Sequence, residues 1–188
     1  MITNNLTANT VAQLAQSLGS QLSLHSWSVA LAESCTGGLV CASLTEIAGS
    51  SAWFERGYIT YSNQAKSECL GVSAELIGSF GAVSEEVAKA MAEGTLKNSA
   101  SNLAIAITGI AGPTGGSPGK PVGTVCFGWA FTPVANNLQS PALVKVNTQH
   151  FAGDRAAVRT QACAFALQGA LALIHPTFTT EIPQRNNG

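Results

Sequence analysis

Charge is scarce in this chain. Asp, Glu, Lys and Arg supply 10% of its 188 residues, against roughly 25% in typical soluble domains. A surface so poor in charge implies cover by another subunit, and a homo-oligomer is expected. Nine basic residues stand against ten acidic ones, for a formal net charge of −1, and nowhere do Lys and Arg cluster. Nucleic acid is therefore not expected as a partner, because neutralising phosphates supplies most of that affinity. A small anionic ligand is still allowed, since one or two placed cations suffice.

Other absences narrow the chemistry. No C-x-x-C pair occurs among Cys35, Cys41, Cys69, Cys126 and Cys163, and an odd number of scattered thiols fits reduced cysteines rather than a disulfide framework. Neither a signal-peptide pattern over Met1 to Gln21 nor an unbroken apolar run of roughly 18 residues is present, so no membrane partner and a cytoplasmic location are expected. Lys120 fails as a Walker lysine, because Thr114 and Pro121 stand where Gly and Ser or Thr are needed. Ser117-Pro118-Gly119-Lys120 spells S-x-x-K, yet Pro-Gly prevents the helix that motif requires. His25, His150 and His175 are scattered, which weakens a Ser-His or zinc reading.

What is present is a rhythm of strands and helices. Val11, Leu14, Ala15, Leu18 and Leu22 recur at helical spacing behind the capping candidates Thr7 and Asn9. Trp27 to Ala32 reads as a short buried strand, Leu39 to Ile47 as helix, and Gly57 to Ser62 as a second strand followed by a short helix ending near Gly71. Ser84 is placed to cap a helix running to Ala100, with Glu85 and Glu86 in its first turn. Leu103 to Ile107, Val122 to Phe131 and Ala142 to Phe151 supply three more strands, the last two joined by a turn near Pro133 to Pro141. A long helix over Asp154 to Ile174 closes the pattern. The alternation predicts a single three-layer α/β domain over residues 1–174, its mixed sheet flanked by helices, then a polar, frayed tail over residues 175–188.

Three clusters could carry chemistry. Glu33-Ser34-Cys35-Thr36-Gly37-Gly38 lies at a strand-to-helix junction, where free backbone N–H groups can bind an anion or hold a nucleophile. Ser34, Cys35 and Thr36 all qualify as that nucleophile, and the same residues equally suit a plain helix start. Tyr61-Ser62-Asn63-Gln64-Ala65-Lys66 follows the next strand, which should open on the same edge. Lys66 can act as a serine's base if it is neutral. Bringing an amine of pKa ~10.4 near pH 7 costs about 4 kcal/mol, which desolvation can supply; a solvated surface lysine is the ordinary alternative. Tyr61 could relay a proton. Thr108-Gly109-Ile110-Ala111-Gly112-Pro113 opens a glycine-rich loop able to approach a ligand, whose outer half, Gly115 to Lys120, reads as a flexible surface segment. Gly153-Asp154-Arg155 begins the last helix, with Asp154 as cap and Arg155 facing either solvent or an anionic group.

Read together, A-E-S-C-T-G-G at Ala32 to Gly38, G-S-S-A-W-F-E-R-G-Y-I-T-Y-S-N-x-x-K at Gly49 to Lys66, G-A-V-S-E-E-V-A at Gly81 to Ala88, T-G-I-A-G-P-T-G-G at Thr108 to Gly116, K-P-V-G-T-V at Lys120 to Val125 and G-D-R at Gly153 to Arg155 resemble the CinA C-terminal-domain family. The resemblance spans roughly Leu14 to Ile174 in order. It implies hydrolysis of the carboxamide of nicotinamide mononucleotide to nicotinate mononucleotide and ammonia. It further implies a serine and lysine mechanism without metal or cofactor, mapped onto Ser34 and Lys66 with Tyr61 nearby. On this reading Thr36, Gly37, Gly38, Thr108, Gly109, Gly112 and Arg155 bind substrate. Amides near Gly112 or Gly37 hold the oxyanion, and Thr108 and Arg155 take the ribose-phosphate. Two rivals remain open here: Cys35 as nucleophile, and a non-catalytic nucleotide sensor or assembly module.

Overall fold

The computed structural model describes residues 8–133 and 142–174. Thr7, all but Pro133 of the turn expected near Pro133 to Pro141, and the tail over residues 175–188 lie outside them. The elements are α1 (Ala8–Leu24), β1 (Val29–Glu33), α2 (Leu39–Thr45), β2 (Phe54–Ile59), α3 (Asn63–Leu70), α4 (Ala74–Phe80), α5 (Glu85–Lys97), β3 (Leu103–Gly109), β4 (Thr124–Phe131), β5 (Leu143–His150) and α6 (Arg155–Ile174), with one 3-10 turn at Ser50–Ala52.

The five strands form one sheet in the order β2-β1-β3-β4-β5. β1 runs parallel to β2 and β3, while β4 and β5 are antiparallel additions. Burial explains the sequence texture. β1, β3 and β4 are buried along almost their whole length and read as continuous apolar runs, while the edge strands β2 and β5 are partly exposed.

Helices cover both faces. One core joins α1, α2 and α6 to Val29, Leu31, Leu103, Ile105, Ile107, Phe127 and Trp129. The other joins α3, α4 and α5 to Ala32, Ala104, Ala106 and Ala130. This second face is built from small residues, and α5 lies close against it: a Cβ on Gly128 would overlap the Ala88 carbonyl oxygen. By length and hydropathy α6 could cross a bilayer, but Val158, Ala162, Leu167 and Ala170 are buried in the domain's core, which accounts for its apolar character.

Connectivity positions the site. From β1 the chain passes through α2 to β2 on one side, then through α3 to α5 to β3 on the other side of β1. Right-handed crossovers force these two connections onto opposite faces, opening a crevice at the carboxyl end of β1.

Several boundaries depart from expectation. β2 occupies Phe54–Ile59 rather than Gly57 to Ser62, because Thr60 and Tyr61 leave the sheet and Ser62 turns to cap α3 through the Ala65 amide. Asn9 lies inside α1 rather than ahead of it. α4 was not anticipated: seven residues with Ile77 alone buried carry no readable period. The outer half of the glycine-rich loop is a tight turn, bridged between Ser117 and Lys120 and tied down by Lys120 Nζ on the Phe80 carbonyl at 2.7 Å.

Candidate active site

The crevice at the end of β1 holds a cleft of about 190 Å³ lined in part by Ser34, Cys35, Tyr61, Asn63, Lys66, Thr108 and Arg155. Ser34 follows β1 directly, and its amide donates to the Ile107 carbonyl at 3.0 Å, tying the residue to β3. Lys66 sits on the first turns of α3 and reaches back over the end of β2. Its Nζ lies 3.2 Å from Ser34 Oγ. The Thr60 and Tyr61 carbonyls accept from the same nitrogen at 2.9 and 3.4 Å.

Lys66 is 1% exposed, and among the described residues no carboxylate pairs with it. Burial therefore lowers its pKa from the ordinary lysine value. A neutral amine has two N–H bonds and one lone pair. With the two carbonyls taking the N–H bonds, the lone pair is left for the Ser34 hydroxyl. Cys35 is placed differently: its thiol is buried, and desolvation foremost pushes its pKa up to about 12.

The turn after Ser34 was expected to present free amides to an anion. Most of them are engaged. Glu33, fully buried at the end of β1, accepts from the amides of Gly38 at 2.9 Å, Val40 at 3.2 Å and Cys41 at 2.8 Å. Its carboxylate thus caps α2, and Ser34 is released from that duty. The Gly37 amide donates to the Ser34 carbonyl, so the oxyanion role foreseen for it is not available in this arrangement.

Other expected residues are distributed unevenly. Thr108 Oγ1 donates to the Ala82 carbonyl at 2.8 Å and, with Gly109, lines the cleft. Thr36 is fully buried with its hydroxyl unpartnered among the described residues, while Gly37 and Gly38 form left-handed turns at φ 57° and 93°; none of the three lines the cleft. The Gly112 carbonyl accepts from Arg155 Nη1 at 2.8 Å. Arg155 Nη2 donates to the Tyr61 hydroxyl at 3.1 Å, so this phenol faces the arginine rather than Ser34 or Lys66. Asp154 caps α6 through the Ala157 amide, as expected.

Sequence reasoning missed Glu33 and Arg159. An acid ending an otherwise apolar strand, just before a glycine turn, was the signal for the first. A second arginine one helical turn beyond Arg155 was the signal for the other, whose Nη2 donates to the Thr36 carbonyl at 2.7 Å.

Residues 11–174 match the family model described as the CinA C-terminal domain. The chain is 50% identical over 159 residues to a nicotinamide-nucleotide amidohydrolase PncC of Enterobacter agglomerans, covering 85% of this chain and 92% of that one. It is 47% identical over 163 residues to the protein of the same name from Escherichia coli K12, covering 87% and 94%. The crystal structure of competence/damage inducible protein CihA from Agrobacterium tumefaciens superposes with a TM-score of 0.81 at 41% identity, covering 87% of this chain and 95% of that one. By sequence and by architecture, this chain belongs to the CinA C-terminal domain family.

Proposed function

We propose that the chain is an amidohydrolase that converts nicotinamide mononucleotide to nicotinate mononucleotide and ammonia, with Ser34 as nucleophile and Lys66 as its base. The observation that carries this reading is the contact between Lys66 Nζ and Ser34 Oγ inside the cleft. The names of the similar enzymes support the substrate.

Neutral Lys66 takes the Ser34 proton as Oγ bonds to the carboxamide carbon, and the carbonyl oxygen takes the negative charge. Collapse of that intermediate breaks the C–N bond, the proton on Lys66 passes to the leaving nitrogen, and ammonia departs. Water then attacks the acyl ester, Lys66 accepting one of its protons and passing it to Ser34 Oγ as the C–Oγ bond breaks; the carboxylic acid released gives its remaining proton to solvent and leaves as the carboxylate. Arg155, at the cleft rim, supplies a guanidinium for the phosphate, and Thr108 and Gly109 line the path of the ribose.

The Cys35 reading is disfavoured by a thiol too weakly acidic to form thiolate at neutral pH, and by the lysine's contact with the serine instead. A sensor role gives the contact between the buried amine and the Ser34 hydroxyl no task, whereas catalysis uses it. Low charge content, with Leu24, Ile59, Phe80 and Leu143 exposed, supports self-association, which light scattering would test. Ser34→Ala is the direct test of the mechanism. It should abolish ammonia release while nicotinamide mononucleotide still binds; an active Ser34→Ala enzyme removes the assigned nucleophile.

A further inference from the structure

Asn63 lines the cleft with Ser34 and Lys66, yet no step of the hydrolysis uses it. The neighbouring side chains are engaged. Lys66 and Ser34 bond to each other, Arg155 donates to Tyr61 and to the Gly112 carbonyl, and Thr108 donates to the Ala82 carbonyl. Among the nitrogen- and oxygen-bearing side chains of that lining, the Asn63 carboxamide alone makes no hydrogen bond within the described residues. We propose that Asn63 is a substrate-contact residue whose Oδ1 accepts from the departing NH2 of the carboxamide, so that the site selects an amide over an ester or an acid. The proposal rests on the Ser34 and Lys66 reading of the hydrolysis.

Position carries the first half of the argument. Asn63 and Lys66 lie at i and i+3 on α3 and share a face of that helix. Helical side chains lean toward the N-terminus, so the lysine's amine comes to lie over the preceding turn. Lys66 Nζ does so, donating to the Thr60 and Tyr61 carbonyls just ahead of α3 at 2.9 and 3.4 Å. Asn63, the first residue of α3, therefore stands at the amine's end of the cleft. Ser62 caps the helix through the Ala65 amide, which spares Asn63 that duty.

Chemistry carries the second half. Lys66 takes the Ser34 proton and must next hand it to the departing nitrogen, so that nitrogen has to lie on the lysine's side of the carbonyl. This is the side on which Asn63 stands. An amide NH2 brings two donors, and a protonated lysine, itself donor only, has nothing to offer them. Asn63 Oδ1 supplies an acceptor. Holding one N–H there leaves the nitrogen's lone pair free to turn toward the lysine as the C–N bond breaks. A carboxylate or an ester has no hydrogen to give, and its oxygen would meet Oδ1 in repulsion.

The test compares nicotinamide mononucleotide with the methyl ester of nicotinate mononucleotide, which forms the same acyl-serine but releases methanol. Asn63→Ala should lower kcat/KM ~10-fold for the amide while ester hydrolysis stays within about 2-fold of the parent's. Asn63→Asp retains an acceptor. Its charge should move both pH profiles upward by raising the lysine's pKa, while the amide-to-ester ratio at each pH stays within about 3-fold of the parent's. A general loss of packing would lower both substrates together and leave the ratio where it was. Equal losses on the two substrates in Asn63→Ala, or a ratio that Asn63→Asp fails to keep, overturn the assignment. Asn63 is exposed, and should the alanine variant nonetheless fail to fold, Asn63→Ser is read by the same ratio. A parent active on the ester alone contradicts amide selection outright. A parent idle on both substrates removes the hydrolase reading and this proposal with it, a failure seen before any variant of Asn63 is made.

Discussion

Lys66 Nζ stands 3.2 Å from Ser34 Oγ across 32 residues of sequence, and two main-chain carbonyls, those of Thr60 and Tyr61, accept from the same nitrogen. Removal from water lowers the amine's pKa, and that same removal makes it a base.

The rate should follow the titration of this amine. kcat/KM is expected to rise with pH through the free-enzyme pKa of Lys66, below the ordinary lysine value, and to collapse in Lys66→Met and Lys66→Arg. Stability has the same slope for a different reason. Between the lowered native pKa and the ~10.4 of the unfolded chain, the unfolded state binds more protons, so this group makes stability rise with pH across that window. Lys66→Met should therefore melt higher than the parent at neutral pH, by ~2–4 °C per kcal/mol recovered. A Lys66→Met enzyme with the parent's pH profile would remove the base.

Cys35 should be a bystander. A thiol pushed up to about 12 is thiolate in only roughly one molecule in 10⁵ at pH 7. Cys35→Ala is expected to retain activity within about 3-fold, and iodoacetamide should inactivate it and the parent equally slowly. Rapid inactivation of the parent that is lost in Cys35→Ser would restore the thiol to the mechanism.

Tyr61 and Arg155 should act on binding more than on chemistry, because the phenol accepts from the guanidinium and reaches neither Ser34 nor Lys66. Arg155→Met is expected to raise KM ~10-fold or more, and Tyr61→Phe a few-fold, with kcat little changed in steady-state assays. A collapse of kcat in Tyr61→Phe would return the phenol to proton transfer.

Gly94, within α5, offers a test of packing. Alanine there should favour the helix by ~1 kcal/mol. However, its Cβ would overlap the Leu70 carbonyl oxygen, a main-chain atom that cannot rotate away. The clash should win, and Gly94→Ala is expected to destabilise by about 1–3 kcal/mol in denaturant titration. An alanine variant more stable than the parent would show that α3 and α5 separate easily.

The legible parts of the fold and site were those written in short stretches. Buried β1, β3 and β4 betrayed themselves as apolar runs, Ser84 capped the helix it precedes through the Val87 amide, and Ser34 and Lys66 each follow a strand. Sheet order was not legible, since pairing β1 between β2 and β3 depends on contacts far apart in sequence. The choice between capping and catalysis at Ser34 depended on where Glu33 points, and a single carboxylate at a strand end does not declare its partners. The side chain of Tyr61 was no more legible: its carbonyl meets the lysine, while its hydroxyl meets Arg155.

β1 is held by strands on both sides, whereas β2, which leads into the helix carrying the lysine, is held on one side alone. Warming should loosen that outer strand first. The hydroxyl would then keep its place while its proton acceptor drifts, so activity should fade at temperatures where most of the domain is still folded.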